Sequence, residues 1–304
     1  MELPRRKLLS CIAVILSIFC LLSGCGKKGS QETGAVHPPA AIKCGGSSTL
    51  APVISKCADN FTEKYKTWDK VRPQLPPDPI IIFVSTGGSG FGVKGVLDGV
   101  LDIGLASREI KPEEREKMPE GKIFKVGVDA LAIAVHPQNP IIQVKPSLTP
   151  EELKKIFSGE IKKWKEIDPR LPDRPIVVCV RDVGGGAAQV FDELVMKGTP
   201  VSKEALQLPS MGALASKVME NVDAIGYVST GLIAQNPGKL KPLQVEGVDP
   251  TRENILAGKY KLARPLLMFT RGEPDERQQL FIDYVLSPEG QKVIEEMGFI
   301  PVAR

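Results

Sequence analysis

Short apolar runs along this chain are each followed by a turn rich in glycine and hydroxyls and then by a stretch with helical spacing. Residues 41–44 predict a strand, and residues 51–65 a helix opened by Gly45-Gly46-Ser47-Ser48-Thr49, with Ser48 or Thr49 as its N-cap and Pro52 in its first turn. Residues 80–84 are a continuous apolar strand of the kind buried on both faces. From 84 to 108 the chain predicts a Ser/Gly turn, a short helix and another strand ending in Ser107 and Arg108. Further strands are predicted at 130–135, 176–180, 224–228 and 266–270, and helices at 150–157, 187–195, 203–207, 211–221, 275–286 and 289–298. Strands alternating with helices define an α/β fold class, with parallel or mixed sheets covered on both faces.

The first residues break this pattern. Arg5, Arg6 and Lys7 precede an apolar run over 8–22 that is short for a bilayer span and ends in Leu22-Ser23-Gly24-Cys25. This order predicts a signal peptide over 1–24, and Leu-Ser-Gly-Cys resembles the bacterial lipobox, which implies a lipid on Cys25 and an extracytoplasmic, membrane-anchored chain. Residues 25–40 turn to Lys, Gly, Ser, Thr and Pro and read as a tether. About 263 residues remain from Ile42, enough for two lobes.

The full-chain charge is +4, and removal of Glu2, Arg5, Arg6 and Lys7 leaves +2, no basic footprint for nucleic acid. The mature part keeps Cys44, Cys57 and Cys179, which make no disulfide framework and no metal spacing. Cys44 and Cys57 could pair, but buried thiols acting as small apolar residues are the reading preferred here.

Three donor-rich turns, at 45–49, 86–92 and 184–187, each follow an apolar strand and open a helix. Backbone N–H groups, hydroxyls and guanidinium ions gathered at strand ends suit a small oxyanion in the crevice of an α/β sheet. Arg108 and Arg181 both stand at strand ends beside such turns. The GxGxxG at Gly90-Phe91-Gly92-Val93-Lys94-Gly95 lacks the ribose-binding acid that a dinucleotide site requires, since the next strand ends in Ser107-Arg108.

As an ordered set, several segments resemble the phosphate-binding lipoproteins of the phosphate ABC transporter: Gly46-Ser47-Ser48-Thr49, Gly88-Ser89-Gly90-Phe91-Gly92, Asp102-Ile103-Gly104-Leu105-Ala106-Ser107-Arg108, Phe157-Ser158-Gly159-Glu160-Ile161 with Trp164, Ala224-Ile225-Gly226-Tyr227, and the run from Phe281 to Gln291. The resemblance implies a type II periplasmic-binding-protein fold, with two α/β lobes of mixed sheet joined by two crossover strands near 126–135 and 223–228, and a ligand cleft between them. Lobe 1 would comprise 41–130 with 225–304, and lobe 2 131–224. It further implies capture of inorganic phosphate for a permease and ATPase by a monomer without cofactor. Carried over, the phosphate site comprises Ser48, Thr49, Leu50, Ser89, Gly90, Ser107, Arg108, Arg181, Gly185, Gly186 and Ala187.

Two departures matter. Gly185 and Ala187 stand where the family has hydroxyls, and each hydrogen bond lost to a charged ligand costs roughly 1.5–3 kcal/mol. Arg108 stands where part of the family has a carboxylate that accepts the proton of hydrogen phosphate, leaving Asp182 and Asp129 as possible acceptors. Receptors for molybdate, tungstate or sulfate, and a sensory or surface lipoprotein, are therefore alternatives. With only His37 and His136, and no HExxH, GxSxG or P-loop motif, the sequence does not read as an enzyme.

Overall fold

A computed structural model describes residues 41–302 of the 304-residue chain. The expected signal peptide, Cys25 and tether lie outside the described residues. The strands are β1 (Ile42–Gly46), β2 (Ile82–Thr86), β3 (Ile103–Ala106), β4 (Ile123–Val135), β5 (Ser147–Leu148), β6 (Val177–Arg181), β7 (Leu206–Leu208), β8 (Ala224–Ser229), β9 (Lys241–Pro242), β10 (Gln244–Val245), β11 (Ala263–Phe269) and β12 (Ile300–Pro301). The main sheet runs β2-β1-β3-β11-β4-β8-β6-β7, with β9 and β12 also paired to β4. Pairing is parallel at both ends of this order and antiparallel around β11 and β4, so the sheet is mixed.

Hydrophobic periodicity explains the layers. The helix Ala51–Tyr65 buries Val53, Ile54, Cys57, Ala58 and Phe61 on one stripe. Phe61 meets the rings of Tyr65, Trp68, Phe281 and Tyr284 at 5.1–5.9 Å, and each side chain removed from water in this way contributes roughly 1.5–3 kcal/mol. A second core surrounds Phe157, Phe191 and Tyr227, the last two stacked at 4.4 Å. Cys44, Cys57 and Cys179 are free buried thiols, and burial pushes Cys57 up to about 12 and Cys179 up to about 11.

Strand β4 connects these cores. Its first part pairs with β11 as far as Ala130, and Leu131–Val135 pairs with β8. The crossover expected at 223–228 is not one: β8 lies wholly within the second core and pairs with the far part of β4 and with β6. The second strand to pass between cores is β11, with Leu262 and Ala263 on one side and Leu266 on the other. Leu240, Leu243, Val245, Ile255 and Tyr260, assigned by sequence to the first lobe, pack in the second core.

Two further expectations change. Residues 203–207 form no helix; the segment turns into β7, where Leu206 pairs with Cys179, so sheet pairing overrides local propensity. The strands expected to begin at 130 and 266 begin at Ile123 and Ala263.

Candidate functional site

The parallel strands β1, β2 and β3 end at Gly46, Thr86 and Ala106, and Ser47-Ser48-Thr49, Ser89 and Ser107-Arg108 follow those ends. Because β11 runs antiparallel and Leu267 pairs with Ala106, Arg264 projects past the end of β3 over Ser107. On the second core, β6 ends at Arg181, and the loop 182–185 leads into the helix Gly186–Phe191. Sheet geometry therefore gathers these residues at strand ends, where α/β proteins bind ligands.

The hydrogen bonds fix the polarity of the hydroxyls. Thr49 Oγ1 accepts from Arg264 Nη2 at 3.1 Å, Ser107 Oγ from Arg264 Nη1 at 3.1 Å, and Ser89 Oγ from the Ser107 amide at 3.1 Å. Half-buried Ser48 accepts from Arg181 Nη1 at 2.8 Å and from the Met211 amide at 3.2 Å. Each hydroxyl receives an N–H, and its own hydrogen meets no acceptor among the described residues. Thr49, Ser89 and Ser107 are at most 5% exposed, so these are desolvated donors awaiting an acceptor.

Three guanidinium ions surround the hydroxyls, each held by a carboxylate. Arg264 pairs with Asp129 through Nε at 3.0 Å and Nη2 at 2.7 Å. Burial lowers the Arg264 pKa, and the Asp129 carboxylate works against that. Arg181 reaches Asp182 at 2.7 Å and the carbonyls of Leu208 and Pro209 at 3.1 Å, while its amide donates to Tyr227 Oη at 2.8 Å. Arg108 grips Glu114 with both terminal nitrogens at 2.6 and 2.7 Å, and its buried Nε has no partner among the described residues. Burial raises the Glu114 pKa, but bonds from Arg108 and the Lys111 amide outweigh it and hold the group below its usual value.

Close approach between the cores depends on two glycines. A Cβ on Gly186 would lie 2.3 Å from Ser89 Oγ; one on Gly88, at φ +88°, would lie 2.5 Å from the Gly184 carbonyl. The Gly90 amide donates to that carbonyl at 3.3 Å. Gly92 of the GxGxxG serves packing, since a Cβ there would lie 2.8 Å from the Leu105 carbonyl.

The expected residues thus converge, with differences in detail. Thr49, Ser89, Ser107 and Arg181 face the seam between the cores. The Leu50 amide instead donates to Ser47 Oγ at 3.2 Å, as does Thr49's, so Ser47 holds the turn ahead of the helix, whose N-cap is Leu50 and not Ser48 or Thr49. The Gly185 amide is taken by the Asp182 carbonyl, while Gly186 and Ala187 begin a helix whose first amides lack an intrahelical acceptor. Arg108 turns its terminal nitrogens to Glu114 and keeps its buried Nε without a partner among the described residues.

Neither acceptor candidate fits that role here. Asp129 is fully buried and accepts four bonds, from Ser229 and Thr230 at 2.9 Å and twice from Arg264. Asp182 is 42% exposed and turned to Arg181. Sequence reasoning missed Ser47, Glu114 and above all Arg264, a lone charge beside an apolar run.

Comparison with known proteins adds the following. A model described as PBP superfamily domain matches residues 33–289. The chain is 30% identical to the phosphate-binding protein PstS of Staphylococcus saprophyticus over 93% of this chain and 86% of that protein. It is similar to a phosphate ABC transporter substrate-binding protein of Clostridium perfringens solved with bound phosphate, with TM-score 0.75 and 31% identity, covering 87% of this chain and all of that one. An ABC-type phosphate transport receptor from Vibrio cholerae follows, with TM-score 0.68 and 28% identity over 86% of this chain and all of that one.

Proposed function

The chain belongs to the PBP superfamily and to the PstS phosphate-binding proteins within it, and from that premise we propose that it captures inorganic phosphate outside the cytoplasm for an ABC transporter. The family is a substrate-binding transporter component and not an enzyme. The observation that carries the reading is the set of hydroxyls of Thr49, Ser89 and Ser107, buried, each accepting an N–H and lacking an acceptor among the described residues for its own hydrogen. A tetrahedral oxyanion offers several charged acceptor oxygens at once, one for each of these donors, which a single water cannot do.

In this reading Ser48, Thr49, Ser89, Gly90, Ser107, the Arg108 Nε, Arg181 and the amides of Gly186 and Ala187 surround the anion. The body acts as two lobes, 41–130 with 263–304 and 131–262, that turn about β4 and β11. The boundary at 262 follows the cores. Lipid on Cys25 holds the protein at a membrane, and a permease with its ATPase receives the phosphate from the monomer. No helix among the described residues is long and apolar enough to cross a membrane.

Calorimetric titration of the purified protein with phosphate tests the proposal. One phosphate bound per chain is expected, with an affinity that weakens when Ser89 or Ser107 is replaced by alanine. Absence of phosphate binding overturns it.

A further inference from the structure

Asp129 divides its two carboxylate oxygens between the cores. Oδ2 accepts from Arg264, through Nε at 3.0 Å and Nη2 at 2.7 Å, and Arg264 in turn reaches Thr49 Oγ1 and Ser107 Oγ at 3.1 Å. Oδ1 accepts from Ser229 Oγ and from Thr230 Oγ1, both at 2.9 Å. Ser229 ends β8, and Thr230 opens the helix Thr230–Gln235, whose Leu232 and Ile233 pack on the second core. One buried carboxylate thus links the second core to two hydroxyls at the anion site of the first.

The link lies where the cores are joined. Arg264 stands opposite Asp129 and Ala263 opposite Ala130, while Leu131 pairs with Ser229 and donates its amide to the Leu262 carbonyl at 2.9 Å. A turn of one lobe against the other about β4 and β11 shifts Ser229 and Thr230 relative to Asp129. A bond lost there leaves an oxygen of a fully buried carboxylate unpaired, which is costly. Arg264 alone supplies the opposing charge, so what the two hydroxyls add is a preference for one arrangement of the lobes. Thr230 Oγ1 also accepts from the Ala130 amide at 3.3 Å, which leaves its own hydrogen for Asp129.

We propose that Ser229 and Thr230 are positioning residues for anion retention: by holding Oδ1 of Asp129 they latch the closed arrangement in which Arg264 aims Thr49 and Ser107 at the anion. Neither touches the ligand. The proposal rests on the phosphate-capture reading above and adds what keeps the lobes shut on the anion.

Stopped-flow measurement of phosphate association and dissociation in the full chain, beside melting temperatures, tests it. Thr230→Val keeps the shape of the side chain and removes its donor, and dissociation is expected to quicken about tenfold, the value of one hydrogen bond to a charged group, with association unchanged. Thr230→Ser keeps the hydroxyl and restores the native dissociation rate. A lower melting temperature with both rates native makes the contact purely structural and overturns the latch, as does slower association with native dissociation. Should Thr230→Val not fold, Ser229→Ala carries the same expectation and the same refutations. Native protein that binds no phosphate overturns the capture reading and the latch with it, whereas native binding with unchanged release in the variants overturns the latch alone.

Discussion

The two sides of the seam hold arginines at strand ends, yet they meet an anion by different means. On the side of β1, β2 and β3, Thr49, Ser89 and Ser107 contribute hydroxyls whose lone pairs are filled from behind by Arg264 and by the Ser107 amide. On the other, Gly184-Gly185-Gly186-Ala187 contribute no polar side chain. Their smallness lets Ser89 and Gly90 come into contact and gives the Arg181 guanidinium its place. One side therefore recognises through oriented hydroxyls, and the other through shape, helix amides and a single charge.

If that division is right, the far side is most sensitive at Arg181. Arg181→Met removes a buried charge together with its bridge to Ser48, and with charge-assisted bonds at roughly 1.5–3 kcal/mol each, phosphate affinity falls about a thousandfold by calorimetry. A loss under tenfold would mean that the far side needs no charge. Gly186→Ala follows: its Cβ would press on Ser89 Oγ from 2.3 Å, so closure is obstructed and affinity drops about a hundredfold without loss of melting temperature. Unchanged affinity would show that the loops need not meet.

Most of this contrast was legible in the sequence, because turn chemistry at strand ends is local. Three Gly- and Ser-rich turns after apolar runs located the near side and the bare far side. The buried frame behind the hydroxyls was not legible. Asp129 and Arg264 interrupt apolar runs, so the expected strands began just after them, at 130 and 266. In the fold both residues lie inside longer strands and are paired in register. They are 135 positions apart, and nothing local links an acid before one run to a base before another. Two charges flanking apolar segments were the available signal, and burial as a pair is what makes such charges tolerable.

Smaller changes sharpen the contrast within each side. Ser89→Ala deletes one oriented donor and the support of the Ser107 amide, for a loss of about thirtyfold, near 2 kcal/mol. On the far side the two hydroxyl-restoring changes should act in opposite directions. A Cβ at Gly185 would lie 2.9 Å from the Arg181 guanidinium, so Gly185→Ser displaces that charge and weakens binding. Ala187→Thr adds a donor in the first turn of the helix Gly186–Phe191 and tightens phosphate about tenfold, the value of one modest hydrogen bond. Equal gains from both would show that Arg181 does not depend on the space at Gly185.

The smallest expected effect is at Ser48, which separates closure from recognition. Its Oγ accepts from Arg181 Nη1 and the Met211 amide, both contributed by the second core, so it ties the halves together in addition to offering a hydrogen to the anion. It is half-buried, and water can replace part of what it supplies, so Ser48→Ala costs about fivefold in affinity, close to 1 kcal/mol. The loss should reside in the dissociation rate, because a closed state with fewer ties reopens sooner while the open site meets phosphate unchanged. Stopped-flow measurement of both rates checks this: a slower association with unchanged dissociation would place Ser48 in first capture, on the same footing as Thr49 and Ser107, and would erase its distinction as the tie between the two sides.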